Sequence, residues 1–185
     1  MSNEQSQPIR LDIGCGKNKK PGFTGVDSIA FDGVDVVCDV RGKWQWEDSS
    51  VDEVHCSHFL EHLEQVERVH FYNELYRVLK PGAKATIVVP HWASNRAYGD
   101  PSHKWPAVSE MSFYYLSKDW RAVNAPHTDS ANVDWGFLCD FDATWGYSLH
   151  GDLLVRSQEY QQHALQWWKE SAQDLIATLT AKKPA

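Results

Sequence analysis

Small and acidic residues with possible ligand-binding chemistry follow a short apolar run near the start of the chain. The run 11–13 leads into Gly14, Cys15 and Gly16, and a glycine turn lets the backbone approach a ligand because no Cβ stands in the way. A second apolar run ends at Asp27, whose carboxylate only accepts hydrogen bonds when ionised. A Gly-x-Gly turn is common on its own, so its meaning depends on the elements around it.

Three histidines form the second group of candidate residues. His58 ends a predicted strand, His91 follows the next one, and His103 lies in the loop beyond it. Imidazole titrates near neutral pH, so each is a candidate general base for an amine or hydroxyl nucleophile. The alternative for His58 is a packed, hydrogen-bonded ring. The alternative for His103 is a hydrogen bond to Asp100 that fixes the loop, since Asp-Pro begins turns.

Short apolar runs must position these groups. The runs alternate with helical patterns up to residue 90, which predicts a mostly parallel sheet with helices on its faces. An apolar stripe with helical spacing extends over 59–79, and Pro81 with Gly82 ends it. Predicted strands lie near residues 11–13, 25–27, 36–39, 50–58 and 85–90.

The order of these motifs resembles the class I S-adenosylmethionine-dependent methyltransferases. The hallmarks of one branch are present as Leu-Glu-His at 60–62 and Leu-Lys-Pro-Gly at 79–82, and the likeness covers residues 9–90 closely. It implies a Rossmann-like, doubly wound α/β sheet of about seven strands. It also implies that S-adenosylmethionine is the cofactor and that a methyl group is transferred by in-line displacement.

The resemblance assigns cofactor-binding roles to residues at the carboxyl ends of the first four strands. Asp27 is placed on the ribose hydroxyls, and Asp39 near the adenine amine. Asp12 either holds the glycine loop or faces the cofactor's amino group, and Glu61 and His62 are expected to be mainly architectural. The full expected set is Asp12, Gly14, Cys15, Gly16, Asp27, Ser28, Asp39, Val40 and Ser57.

One departure from the family lies directly after the glycine turn. Only eight residues separate Gly16 from Gly25, and they include Pro21, so the long first helix of the family is replaced by one turn at most. This leaves one face of the cofactor end more open. Lys17 or Lys20 is then a candidate partner for the carboxylate of the cofactor.

The second half of the chain is predicted to supply the acceptor site. The aromatic residues Tyr98, Trp105 and Tyr114 suit a cationic or planar substrate. We expect a single domain over 1–185, divided into a cofactor-binding core over 9–90, a loop-rich substrate region over 91–150 and a closing helix and strand over 151–185. Its expected elements are a helix over 109–116, an antiparallel strand over 137–148, a helix over 156–171 and a strand over 174–180, for which a helix is the rival interpretation.

Composition restricts the partners. The formal net charge is −7, from 25 acidic and 18 basic residues, and this balance disfavours duplex nucleic acid, although a local basic patch does not exclude it. A small molecule, a nucleotide or a peptide side chain is the expected acceptor.

No apolar run is long enough for a membrane helix, and no signal peptide is seen, so a cytoplasmic location is expected. The four cysteines show no metal-type spacing.

Other functions are weighed against methyl transfer. A non-catalytic S-adenosylmethionine-binding or regulatory protein, or an enzyme that cleaves the cofactor, has the same fold. A dinucleotide enzyme is disfavoured because residue 19 is lysine rather than the third glycine of the fingerprint. A nucleic-acid amino-methyltransferase is disfavoured because residues 56–59 read Cys-Ser-His-Phe. No metal site is expected, since His91, Asp100 and His103 match no recognised spacing.

Overall fold

The fold is a seven-stranded sheet with the strand order β3-β2-β1-β4-β5-β7-β6. A computed structural model describes residues 7–128 and 136–184. The first five strands are parallel, and β7 runs antiparallel between β5 and β6. This confirms the expected fold class. The strands are β1 (Arg10–Ile13), β2 (Thr24–Asp27), β3 (Val36–Val37), β4 (Val51–Ser57), β5 (Leu79–Pro90), β6 (Phe141–Leu149) and β7 (Ala172–Ala181).

The two faces of the sheet are buried to different extents. On one face Val54, Cys56 and Ile87 are fully buried in a core shared with apolar side chains of the helix after β4. On the other face His55 and Thr86 remain half-buried. Successive side chains of a strand point to opposite faces, so the alternation separates a closed apolar layer from a more open polar layer.

The main helix, α1 (Gln65–Val78), begins six residues later than the apolar stripe suggested. A 3-10 turn occupies Leu60–His62, and Glu64 is extended, with its amide donating to the Glu67 carboxylate at 2.8 Å. This capping contact at the first turn fixes the start of the helix. The apolar residues before it belong to the turn, whose spacing cannot be distinguished from a helix by pattern alone.

The strand after α1, in contrast, begins earlier than predicted, at Leu79 rather than near residue 85. β5 starts at Leu79, so the Lys-Pro-Gly segment lies within the strand as an irregularity in its pairing with β4. Gly82 has φ +72°, a backbone conformation that glycine adopts without strain.

The second half of the chain agrees with prediction in its larger elements. The expected closing segment is a strand, β7, so the rival helix is wrong for these residues. Among the described residues, no helix has the length and apolarity needed to cross a membrane. The helices here are α2 (Arg96–Gly99), α3 (Glu110–Tyr114), α4 (Lys118–Asn124), α5 (Gly151–Leu154) and α6 (Gln158–Trp167).

Candidate active site

The glycine turn lies directly over the start of the 3-10 turn after β4. Gly14 has φ +68°, and a Cβ added to it would lie 2.5 Å from Cγ and Cδ2 of Phe59. The amide of Gly14 donates to the Val26 carbonyl at 2.8 Å. Position 14 therefore requires glycine for two reasons, a left-handed backbone and contact with an aromatic ring.

Asp27 fixes the second glycine of the turn. Its Oδ2 accepts from the amide of Gly16 at 2.9 Å, and its Oδ1 accepts from the amide of Ile29 at 3.0 Å. Each carboxylate oxygen has a further lone pair, so the side chain can hold the turn and still accept hydrogen bonds from a ligand.

Asp12 holds the loop that follows the glycine turn. Its Oδ2 accepts from the amide of Lys20 at 2.7 Å, and its Oδ1 lies 2.7 Å from Nδ1 of His55. The loop-holding alternative considered for Asp12 is thus present. His55 was not identified from the sequence, because a half-buried histidine inside a strand gives no local signal.

The two lysines of this loop lie over aromatic rings. Lys17 Nζ is 5.5 Å from the ring centre of Phe31, and Lys20 Nζ is 4.7 Å from that of Phe23. These are cation–π distances. The short segment after the glycine turn is therefore organised by side-chain contacts, and residues 17–23 form turns without a helix, as expected from the length of the segment.

A cavity of about 210 Å³ opens at the carboxyl ends of β1, β2 and β4. Five of the nine expected cofactor residues line it, whereas Asp12, Cys15, Gly16 and Ser57 do not. We call it the cofactor cavity. Its lining residues are Gly14, Val26, Asp27, Ser28, Cys38, Asp39, Val40, Arg41, Phe59, His62 and Leu63.

The four expected residues outside this lining lie in or directly after β1, or at the end of β4. The Gly16 amide binds Asp27, and the Cys15 thiol is buried beneath the turn, where burial raises its pKa. Ser57 is the half-buried last residue of β4, paired in register with Val88.

Arg41 lines the cofactor cavity beside Asp39 and was not among the site residues expected from the sequence. Its guanidinium binds the Asp39 carboxylate in a bidentate manner, with Nε to Oδ1 at 2.9 Å and Nη2 to Oδ2 at 2.8 Å. These hydrogen bonds lower the pKa of Asp39. The Asp39 carboxylate is therefore already paired, and a ligand at this end meets an ion pair rather than a free acid.

A second cavity of about 370 Å³ adjoins the first, and His62 lines both. It lies where β4 and β5 end, beside the loop that carries the Asp-Pro-Ser-His sequence. We call it the acceptor cavity. Its lining residues are His58, Glu61, His62, Pro90, Arg96, Gly99, Asp100 and His103.

His58 stands between two acidic side chains at the mouth of this cavity. Its Nδ1 is 3.4 Å from Oε1 of Glu61, and its Nε2 is 3.7 Å from Oδ1 of Asp174. Interaction with Glu61, and more weakly with Asp174, raises the pKa of His58 above its ordinary value. Asp174 also pairs with Arg96 at 3.1 Å, so the mouth carries both charge signs.

The loop over 100–106 is fastened to the 3-10 turn by backbone contacts. The amide of Lys104 donates to the Glu61 carbonyl at 2.8 Å. The buried guanidinium of Arg68 donates to the carbonyls of Leu63, Lys104 and Pro106 at 2.9, 3.0 and 2.6 Å. His103 is consequently held against His62, with ring centres 4.8 Å apart.

His91 lies apart from both cavities. Its side chain is fully buried, and its Nε2 is 3.3 Å from Oε1 of Glu110. Burial opposes ionisation of Glu110 and is the largest single influence on it, but hydrogen bonds to His91, to a backbone amide and to Tyr147 together outweigh burial and lower the pKa of that carboxyl. Of the two candidate bases after β4, His103 lines the acceptor cavity and His91 does not. His91 instead packs against Trp92 and Tyr147.

The three aromatic residues expected at the acceptor site share a third, wide cavity of about 470 Å³. Tyr98, Trp105 and Tyr114 line it together with Trp92. Trp105 is 72% exposed, which is unusual for so large an apolar side chain. These rings form an aromatic rim next to the acceptor cavity. Arg96 and Gly99 of α2 line the acceptor cavity, and Tyr98 of the same helix lines the aromatic rim.

Comparison with known proteins bears on this geometry. Residues 18–87 match the family described as "Methyltransferase domain", a range that runs from β2 through the 3-10 turn and α1 into β5 and begins after the glycine turn. No curated protein sequence matches the chain.

Solved structures share the fold over nearly the whole chain. A SAM-dependent methyltransferase from Archaeoglobus fulgidus has 22% identity and a TM-score of 0.62, with coverage of 94% of this chain and 86% of that chain. A chain in the complex of the Haloferax volcanii Trm112 methyltransferase activator with a putative methyltransferase has 14% identity and a TM-score of 0.57, with coverage of 96% and 83%. Geranyl diphosphate C-methyltransferase from Streptomyces coelicolor A3(2) has 13% identity and a TM-score of 0.51, with coverage of 96% and 71%.

Proposed function

Because residues 18–87 match a methyltransferase domain and the chain shares its fold with a SAM-dependent methyltransferase, we propose that it transfers a methyl group from S-adenosylmethionine to a small molecule or a nucleotide bound in the acceptor cavity. The observation that carries this proposal is the contact between the two cavities at His62. A methyl group bound at the inner end of one cavity faces the other. The net charge of −7 disfavours duplex nucleic acid as the acceptor.

The four free cysteines of the described chain support a cytoplasmic location, where thiols stay reduced.

The cofactor is assigned to the first cavity in a definite orientation. The free lone pairs of Asp27 would accept from the ribose hydroxyls, and Val40, Leu63 and the Asp39–Arg41 pair would hold the adenine ring. The glycine turn would hold the methionine part. Five residues of the proposed contact set line this cavity.

Methyl transfer needs alignment more than chemical assistance from the protein. The acceptor's nitrogen or oxygen forms a bond to the methyl carbon as the bond from that carbon to sulfur breaks, and the sulfur keeps the electron pair. We assign His58 to the proton that the acceptor releases, because its ring borders the acceptor cavity at the end of β4. We assign His103 to the opposite wall of the acceptor cavity, and we assign His91 a supporting role at the end of β5.

The cofactor assignment is tested by calorimetric titration with S-adenosylmethionine, S-adenosylhomocysteine and NAD. Asp27→Ala should weaken binding of the adenosyl ligands by roughly 1–3 kcal/mol, the cost of leaving buried polar groups unpaired. Asp35→Ala is the matched control, because Asp35 also accepts from a backbone amide, that of Gly25 at 2.7 Å, but lies outside the cavity lining. Equal losses in both variants would contradict the ribose assignment.

The acceptor assignment is tested by measuring formation of S-adenosylhomocysteine with panels of amines, phenols and nucleotides. His58→Gln should lower turnover while the affinity for S-adenosylhomocysteine stays close to that of the parent. His70→Gln is the control, because His70 is bonded to the Gly42 carbonyl away from both cavities. Tight cofactor binding without turnover on any acceptor would favour the non-catalytic alternative.

A further inference from the structure

We propose that Glu61, His62 and His103 bind a divalent transition-metal ion in the acceptor cavity. One ligand atom from each of these side chains lies within 4.8 Å of the other two. Ligand atoms of a tetrahedral site are roughly 3.4 Å apart when metal bonds are roughly 2.1 Å long. Small side-chain rotations therefore suffice to close the site. All three residues also line the acceptor cavity.

The Nδ1 atom of each imidazole already has a polar neighbour. Nδ1 of His103 is 3.2 Å from the Ala97 carbonyl, and Nδ1 of His62 is 3.0 Å from the Ser102 hydroxyl. The Nε2 atom of each ring is then the nitrogen available for coordination. Histidine ligands commonly have their second ring nitrogen fixed in this way by a carbonyl or another polar group.

Glu61 is a buried acid whose charge is poorly compensated. The residue is 5% exposed, and neither carboxylate oxygen has a hydrogen-bond partner among the described residues. Its contact with His58 Nδ1 at 3.4 Å is an ion pair without hydrogen-bond geometry. A buried carboxylate without a hydrogen bond is costly, and a cation between Glu61 and the two imidazoles would reduce that cost.

The donor set indicates the class of metal. Two imidazoles and one carboxylate suit zinc and neighbouring first-row ions rather than calcium or magnesium. Three protein ligands leave one coordination position open, as in catalytic zinc sites. The Asp100 carboxylate is 3.9 Å from His103 Nε2 and borders the same space. Resting on the proposed function, the open position is where an oxygen of the acceptor would bind.

Metal binding is tested on the purified, chelator-treated protein without cofactor. Calorimetry with Zn²⁺ should show one site, and Co²⁺ should give a visible absorption spectrum of nitrogen and oxygen ligands without a thiolate band. His103→Gln and Glu61→Gln should each lower the affinity at least tenfold. Ser102→Ala should lower it roughly 10–100-fold by freeing the His62 ring. His163→Gln, which alters an exposed histidine outside the cavity, should leave it unchanged.

Two further readouts separate a metal ligand from a merely structural role. Zn²⁺ should raise the thermal midpoint of the parent but not of Glu61→Gln, and the variant without metal should remain folded because the Glu61 carboxylate makes no hydrogen bond among the described residues that the substitution would break. Absence of a Zn²⁺ site, or equal affinity in His103→Gln and His163→Gln, would overturn the proposal. S-adenosylhomocysteine titration of the same samples shows independently whether the proposed function stands.

Discussion

Replacing Gly14 with alanine tests whether the glycine turn is held by contact with the ring beneath it. The new Cβ would lie 2.5 Å from two ring atoms of Phe59 and 2.7 Å from its Cβ. Real contacts of this kind are longer, so the ring or the turn must move. Gly16→Ala introduces the same methyl group at φ +51° with no atom within 4 Å, and Gly82→Ala does so at φ +72° far from the site.

The three substitutions separate two costs. A left-handed backbone costs a non-glycine residue roughly 1–2 kcal/mol, which applies to all three positions. Gly14→Ala adds overpacking, typically about 1–3 kcal/mol, for a total of about 2–5 kcal/mol. Because the Gly14 site and Phe59 both line the cofactor cavity, only this substitution combines a large loss of stability with displacement of the cavity wall.

Urea unfolding gives the stability changes, and calorimetry gives the affinity for S-adenosylhomocysteine. The double variant Gly14→Ala/Phe59→Ala removes the two closest ring atoms, so the combined cost should be smaller than the sum of the single costs by roughly 0.5–3 kcal/mol. Equal destabilisation by Gly14→Ala and Gly82→Ala, or strict additivity in the double variant, would refute the contact argument.

Three further predictions concern the buried polar groups of α1. Tyr72→Phe should leave stability unchanged or raise it by about 1 kcal/mol, because the buried hydroxyl lacks a partner among the described residues; a loss above this size in urea unfolding would reveal an overlooked partner. Arg68→Met should cost roughly 2–4 kcal/mol by leaving buried carbonyls unpaired, and faster proteolysis of the loop over 100–106 should accompany it. Glu74 has a lowered pKa because Arg77 binds it, so its contribution is present above its ordinary pKa and is lost as pH falls through the lowered value. Unfolding of Glu74→Gln followed from pH 6 downward should therefore show a flatter loss of stability than the parent.

The sheet and much of the cofactor cavity were predictable because their signals are local. Apolar runs ending in Gly14, Asp27 and Asp39 indicate strand ends, and parallel strands bring such ends to one edge of a sheet. The start of α1 was not predictable in the same way. It depends on Glu64 and Glu67 competing with an apolar pattern that continues back to Phe59.

The acceptor side depends on contacts between distant segments, which a single sequence does not reveal. The closeness of His62 to His103 comes from Arg68 bonding to the loop beyond residue 103. The burial of His91 depends on its packing against Tyr147 of β6. Glu61 was expected to be architectural, and only the structure shows that its carboxylate is buried without a hydrogen bond.

The unequal burial of the two sheet faces has a consequence for how the chain tolerates sequence change. In parallel sheets enclosed on both sides, every strand position demands an apolar residue. Along β5, Ile87 is fully buried while Thr86 and Val88 are only half-buried. We therefore expect substitutions along β5 to be tolerated with a period of two, as in an antiparallel sheet with one wetted surface. Changes at Thr86 should be tolerated better than changes at Ile87, so the sequence of the open face of β5 can vary without loss of the apolar layer that supports the site.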